Sequence, residues 1–163
     1  MTSTQTGSAQ SDATPRFRRM SEADLDAVMA IENVIYTHPW TRGNFVDSIA
    51  VNSQCYVMQW HGVVAGYAVL MTGAGEAHLL NLSIAAAWQR RGLGRELLHH
   101  VVGVARELAV QKIFLEVRVS NTAARALYAQ SHFREIGVRR GYYPAHVGRE
   151  DAIVLETLLE HAP

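Results

Sequence analysis

A carboxylate sits in this chain where carboxylates are costly. Glu116 interrupts the run Lys112-Ile113-Phe114-Leu115-Glu116-Val117-Arg118-Val119. An acid in an apolar strand is unfavourable unless it is paired or faces a cleft. Desolvation would raise its pKa toward a range useful to a general base; the structural alternative is an ion pair with Arg118 or another arginine. Further on, the phenol of Tyr128 could give a proton to a leaving group, or simply pack in a core. Between them, Asn121 could cap a helix and touch a ligand with the same amide. A second group is Gln89-Arg90-Arg91-Gly92-Leu93-Gly94-Arg95. It lies between an apolar run, Leu79 to Ile84, and a segment with helical spacing. Backbone N–H groups at a helix N-terminus lack intrahelical partners and point at whatever sits there. Gly92 and Gly94, without Cβ atoms, would let a diphosphate approach the backbone, and Arg90, Arg91 and Arg95 add positive charge. The loop is not a P-loop, because no Gly-Lys-Ser/Thr follows, and it lacks the third glycine of the dinucleotide fingerprint. By itself it could also be a basic turn capping an ordinary helix.

Other chemistries are poorly supported. The eight histidines lack metal-site spacing: His99 and His100 are adjacent, and no His-Glu-x-x-His or Cys-x-x-Cys occurs. There is no Gly-x-Ser-x-Gly elbow for a serine hydrolase. Cys55 is the single cysteine, set among alternating strand residues, and reads as a buried structural thiol in a reducing compartment. Charged groups balance at a formal net of +0, so there is no general field for nucleic acid and no direct nucleic-acid contact is expected. No apolar run is long enough to span a bilayer, and the N-terminus has no signal-peptide core. These absences lead to the expectation of a cytoplasmic protein without a membrane anchor.

The elements that must position these residues follow from periodicity. Residues 1–15 read as a disordered tail and 16–160 as one domain. Arg16 to Met20 suits a short strand. Ser21 looks like the N-cap of a helix carrying Leu25, Val28, Met29 and Ile35. Pro39 breaks the chain in Tyr36-Thr37-His38-Pro39-Trp40, and Thr41 caps a short helix with Phe45 and Ile49. Cys55 to Trp60 and Val63 to Met71 form a hairpin about His61-Gly62. Glu76 to Ile84 is the strand that feeds the glycine loop, and a long helix follows from Leu93. The run from Lys112 reads as a strand covered on both faces. Asn121 caps a further helix through Tyr128. Phe133 to about Tyr143 and Ala152 to Leu159 close the chain as two strands, joined by Gly141 to Gly148.

At this point the residues resemble a known family. Gln89-x-x-Gly92-x-Gly94, after a strand and before a helix, is similar to the acyl-CoA motif of the GNAT N-acetyltransferases, and the element order agrees from about Arg16 to Leu159. Within that family the chain resembles the ribosomal-protein alanine N-acetyltransferases. That likeness rests on Pro39-Trp40, Asn81-Leu82-Ser83-Ile84, Leu115-Glu116-Val117-Arg118, Ser120-Asn121, Ala126-Leu127-Tyr128, Arg139-Arg140-Gly141-Tyr142-Tyr143-Pro144 and Gly148-Arg149-Glu150-Asp151-Ala152. Trp88 before Gln89 and Ser131-His132 before Phe133 depart from the family pattern.

The resemblance implies an α/β (α+β) GNAT fold: a mixed, mostly antiparallel twisted sheet of about seven strands flanked by about four helices. It implies acetyl-CoA as co-substrate, no metal, and direct transfer in a ternary complex to the N-terminal alanine of a ribosomal protein, small-subunit protein eighteen. The same fold also acetylates small-molecule amines or protein lysines, and a non-catalytic acyl-CoA-binding module is a further alternative. In the implied roles Glu116 is the base and Tyr128 the acid toward the CoA thiolate. Leu82, Ser83 and Ile84 offer backbone groups to the pantetheine. Arg90, Arg91, Gly92, Leu93, Gly94 and Arg95 hold the pyrophosphate, and Asn121 touches the cofactor. Trp40, Tyr142 and Tyr143 line the peptide groove. Glu32 and Glu150 or Asp151 are candidate acids for a basic peptide. A monomer or weak dimer is expected.

Overall fold

The computed structural model describes residues 14–160; most of the expected N-terminal tail lies outside them. Strand β1 (Arg16–Arg19) leads into a single 3-10 turn, Glu22–Asp24, and then α1 (Leu25–Ile35) and α2 (Arg42–Ala50). Strands β2 (Gln54–Trp60), β3 (Val63–Gly73) and β4 (Glu76–Ile84) follow, then α3 (Leu93–Glu107), β5 (Lys112–Arg118), α4 (Thr122–Gln130), β6 (Arg134–Pro144) and β7 (Arg149–Leu158). The turns explain themselves locally. His61 and Gly62 have φ of 51° and 77°, and Ala74 and Gly75 have 53° and 77°, the paired left-handed residues of tight hairpins. Thr41 Oγ1 accepts from Asn44 N at 3.2 Å, capping α2, and Asn121 Oδ1 accepts from Ala124 N at 3.2 Å, capping α4. Ser21 initiates the 3-10 turn rather than α1 itself; its N–H donates to Asp24 Oδ2 at 2.9 Å.

The strands form one seven-stranded sheet in the order β1-β2-β3-β4-β5-β7-β6. Every neighbouring pair is antiparallel except β4 and β5. Alternate residues of the central strands enter two different cores. Cys55, Val57, Tyr67 and Val69 pack with Leu25, Val28 and Phe45 of α1 and α2. Ala68, Leu70, Ala77 and Leu79 pack with Leu97, Leu98 and Val101 of α3. Helices therefore cover both faces of the middle of the sheet.

The doubly covered strand is β3, where residues 65–70 are all buried, not β5. In β5 only Ile113, Leu115 and Val117 are buried, and Lys112, Phe114, Glu116 and Arg118 lie on a half-open face. The reason is position: α1 and α2 pack over β2 and β3 and contribute nothing to the core under β5. The sixth strand reaches past Tyr143 to Pro144, close to expectation, but the seventh begins at Arg149 rather than Ala152, so the link shrinks to residues 145–148.

One irregularity shapes the molecule's function. Strands β4 and β5 pair in parallel only over Glu76↔Lys112, Ala77↔Ile113 and His78↔Phe114. Beyond His78 they separate. Opposite, on the β3 side, Leu70 pairs with Leu79 and Val69 with Asn81, so Leu80 is an extra residue, a β-bulge. The bulge turns the end of β4 away from β5. Close packing holds that end: a Cβ on Gly66 would lie 2.7 Å from both Ser83 O and Ile84 Cδ1.

Candidate active site

The separation of β4 from β5 opens a cavity of about 290 Å³. Leu79, Leu80, Asn81 and Leu82 line it from β4, and Glu116, Val117 and Arg118 from β5. Tyr36 and Trp40 contribute from the loop after α1, Asn121 and Tyr128 from α4 and its cap, and Tyr143 from β6. On the cavity side, the backbone of β4 past His78 has no strand partner among the described residues, so it can bind an extended ligand as an added strand would.

Glu116 lies at the mouth of the split. Its side chain is 5% exposed. Oε2 is 2.5 Å from His78 Nε2, and Oε1 is 3.5 Å from the guanidinium of Arg139, yet Oε1 is buried with no hydrogen-bond partner. Burial pushes its pKa up, but the His78 hydrogen bond and the charges of His78 and Arg139 outweigh burial and hold the carboxyl below its ordinary range. The expectation of a raised pKa is thus reversed. An isolated strand predicts burial alone; the partners come from β4 and β6.

Tyr128 is buried at 7% exposure. Its pKa is pushed up by burial and by the neighbouring phenols of Tyr36 and Tyr143, so it remains a protonated donor at any physiological pH. Tyr143 is raised for the same first reason, with Glu116 adding to it; Arg118 sits 4.5 Å over its ring.

A buried polar chain supports the opposite wall. Tyr36 Oη and Ser83 Oγ are 2.7 Å apart, and Ser83 Oγ donates to Asn81 Oδ1 at 2.7 Å. Asn81 Nδ2 donates to Glu32 Oε2 at 3.3 Å and Trp40 N to Glu32 Oε1 at 2.9 Å, and the Tyr67 hydroxyl also donates to Oε2. Glu32 is 1% exposed and its oxygens are committed to these three donors, so it is not a surface acid for a basic peptide. Glu150 accepts from Arg118 at 3.1 Å and from Ser120 N at 2.8 Å, and Asp151 accepts from Gly141 N at 2.8 Å. Those two acids also serve the fold.

The glycine loop sits at the far end of β4. Gln89 Nε2 donates to Ile84 O at 3.0 Å, tying the loop to the strand. Gly92 caps α3 in the left-handed conformation, φ 79°, a shape that favours glycine. Glu96 N is the first to find a ladder partner, Gly92 O at 3.2 Å; the N–H groups of Leu93, Gly94 and Arg95 precede the ladder. A Cβ on Gly94 would make ordinary contacts, 3.5 Å to Leu127 and 3.8 Å to Ile84, which places the first turn of α3 against both α4 and the end of β4. Arg91 leans over the Trp88 ring at 5.3 Å.

This arrangement has close relatives. The model of the acetyltransferase (GNAT) family matches residues 25–133. The chain belongs to the GNAT family of acetyltransferases. The [ribosomal protein bS18]-alanine N-acetyltransferase of Escherichia coli K12 is 36% identical over 136 residues, covering 83% of this chain and 92% of that one. The crystal structure of the ribosomal-protein-S18-alanine N-acetyltransferase from Escherichia coli superposes with a TM-score of 0.86 at 33% identity, over 92% of this chain and 97% of the other. Arabidopsis thaliana NAA60 in complex with a bisubstrate analogue shares the fold, with a TM-score of 0.78 at 18% identity, over 90% of this chain and 100% of that one.

Within this GNAT acetyltransferase the sequence-predicted residues fall into two groups. Trp40, Leu82, Glu116, Asn121, Tyr128 and Tyr143 meet at the cavity. Ser83, Ile84 and residues 90–95 are adjacent along β4 and α3 but are not in its wall. Tyr142 is 40% exposed and lies outside the lining, packed against Tyr143 and under Arg139; the register of β6 on β7 shifts between Arg139 and Tyr143. Sequence reasoning missed His78, Asn81 and the Leu80 bulge. His78 and Glu116 are 38 positions apart, and only the parallel pairing of β4 with β5 brings them together. Among the described residues no group of His, Cys, Asp or Glu is arranged to hold a metal, and no helix is long and apolar enough to cross a membrane.

Proposed function

We propose that the chain is an N-terminal α-amine acetyltransferase that moves an acetyl group from acetyl-CoA to the N-terminal alanine of ribosomal protein bS18. One observation carries the reading: a buried carboxylate with one oxygen lacking a hydrogen-bond partner and a phenol protonated at neutral pH line the same cavity at the β4–β5 split. That is the pair an amide-forming transfer requires, a proton acceptor for the amine and a proton donor for the thiolate. The substrate assignment is supported by the 36% identity to the bS18-alanine enzyme over nearly its whole length.

The residues present fit acetyl-CoA. Backbone groups of Leu82, Ser83 and Ile84 on the unpaired side of β4 would take the pantetheine, the first turn of α3 with Arg90 to Arg95 the pyrophosphate, and Asn121 the side facing α4. Acetyl-CoA supplies the activated acyl carbon. Trp40 and Tyr143 narrow the cavity around a small first side chain. An α-amine has a pKa near about 8, so an appreciable neutral fraction exists at pH 7. Glu116 Oε1, directly or through water, takes the proton the amine sheds as the N–C bond forms. Tyr128 gives its proton to the sulfur as the C–S bond breaks. Holding both partners in one cavity supplies much of the acceleration.

The test is competition among an alanine-initiated peptide of the bS18 N-terminus, the same peptide N-terminally blocked with its lysines free, and a polyamine, with mass spectrometry locating the acetyl group. Preferred modification of the free α-amine is expected. Faster turnover of the blocked peptide or the polyamine overturns the assignment in favour of a lysine or small-amine acetyltransferase.

A further inference from the structure

His78 is the least expected member of the site. It stands on β4 at the last register position before the strands part, opposite Phe114. Its ring stacks on Phe114 at 4.3 Å and 21°, which fixes its orientation. It is 17% exposed, so the ring reaches both solvent and the buried carboxylate. Glu116 is held ionised, and a carboxylate only accepts hydrogen bonds; the proton of the 2.5 Å contact therefore belongs to His78 Nε2.

We propose that His78 is a positioning residue for the Glu116 base: its ring occupies Oε2, fixes the carboxylate plane, and leaves Oε1 as the oxygen without a hydrogen-bond partner. The proposal rests on the acetyltransfer reading above. The geometry supports each part. Oε1 is the oxygen without a hydrogen-bond partner, and Arg139, 53% exposed and 3.5 Å away, is too loosely held to fix the carboxylate by itself. The other groups around the ring do not replace this contact. Glu116 on β5, with Arg139 and Tyr143 on β6, forms the site itself. Met71, its register partner on β3, carries no charge. Glu76 on the same strand pairs with Lys112 at 3.1 Å, and Glu156 on β7 pairs with Lys112 and Arg134.

The experiment measures kcat and KM for acetyl-CoA, with an alanine-initiated peptide as acceptor, for the wild type, His78→Gln and His78→Ala. Glutamine presents an amide N–H near the Nε2 position. His78→Ala should lose about tenfold or more in kcat with KM for acetyl-CoA unchanged, and His78→Gln should restore most of that loss. A second readout is independent of turnover: imidazole ¹H–¹⁵N spectra of the full chain should show a downfield Nε2–H resonance that disappears in Glu116→Gln. Wild-type kcat in His78→Ala overturns the proposal, as does a loss confined to KM. If the wild type acetylates no α-amine at any pH, the functional assignment fails, and the resonance then decides the His78–Glu116 contact alone: its absence overturns the proposal, its presence supports the positioning.

Discussion

Glu116 is a base whose proton affinity is set by its neighbours more than by its burial. A carboxylate below its ordinary range is a weak acceptor for an ammonium proton at equilibrium, so the acceleration must come from placement and from taking the proton as the N–C bond forms. Glu116→Gln keeps the shape and removes the acceptor; kcat should fall about a hundredfold or more with acetyl-CoA affinity nearly unchanged, as steady-state kinetics and calorimetry will read. Tyr128→Phe should lower kcat in the same way, since phenylalanine refills the same buried space. Glu32 belongs to a different category. It anchors the Trp40 backbone, the Tyr67 hydroxyl and Asn81, so Glu32→Leu strands three buried donors. The expected cost is about 3 kcal/mol in chemical denaturation, accompanied by a higher KM for the peptide, because the loop carrying Trp40 loses its tether.

At the scale of elements, the site is a defect in a sheet. A regular β4 would have paired with β5 to its end, hidden its backbone groups and closed the cavity. The Leu80 bulge and the short three-pair ladder prevent this. Gly66 holds the bent end of β4 by close approach, with 2.7 Å available where a Cβ would stand. Gly66→Ala must therefore push β4 outward. We expect a loss of about 1–3 kcal/mol in thermal or urea unfolding, and weaker acetyl-CoA binding than that stability loss alone explains. Wild-type affinity in the folded variant would show that the end of β4 does not contact the cofactor.

At the scale of the whole molecule, two cores on opposite faces of one sheet carry two tasks. The α3 core sets the glycine loop, and the α1–α2 core sets the loop that carries Tyr36 and Trp40. The edge of the second core is fastened by Arg18, whose guanidinium holds both oxygens of Asp24 at 2.8 and 2.6 Å. The Arg18 hydrogen bonds lower the Asp24 pKa, against burial and with help from the Ser21 N–H. A folded pKa below the unfolded value of 3.8 means that the stabilisation is present above that value and is lost as pH falls through the lower one. Asp24→Asn should accordingly be less stable than wild type at pH 7, and the gap in denaturation midpoints should close below about pH 4. A constant gap across that range would show that the pairing does not stabilise the fold.

Much of this was legible in the amino-acid order, for local reasons. Thr41 and Asn121 are caps whichever fold surrounds them; His61-Gly62 can make a tight hairpin turn; the helical spacing from Leu93 and the glycine before it fix a helix start. Glu116 was conspicuous because an acid among apolar residues is conspicuous in any context. The combination of motifs carried the family, and with it the fold and the reaction type. What only the tertiary structure decided depends on contacts between distant segments. Which strand is covered on both faces is set by where α1 and α2 land, so the middle of β3, and not β5, is buried on both faces. The direction of the Glu116 pKa shift depends on His78 and Arg139, which reach it from other strands. Tyr142 and Tyr143 are neighbours in sequence with their rings in contact, yet only Tyr143 lines the cavity, in a part of β6 where the register on β7 shifts. The cavity itself arises where two strands stop pairing, and pairing is a relation between segments that a single segment does not encode.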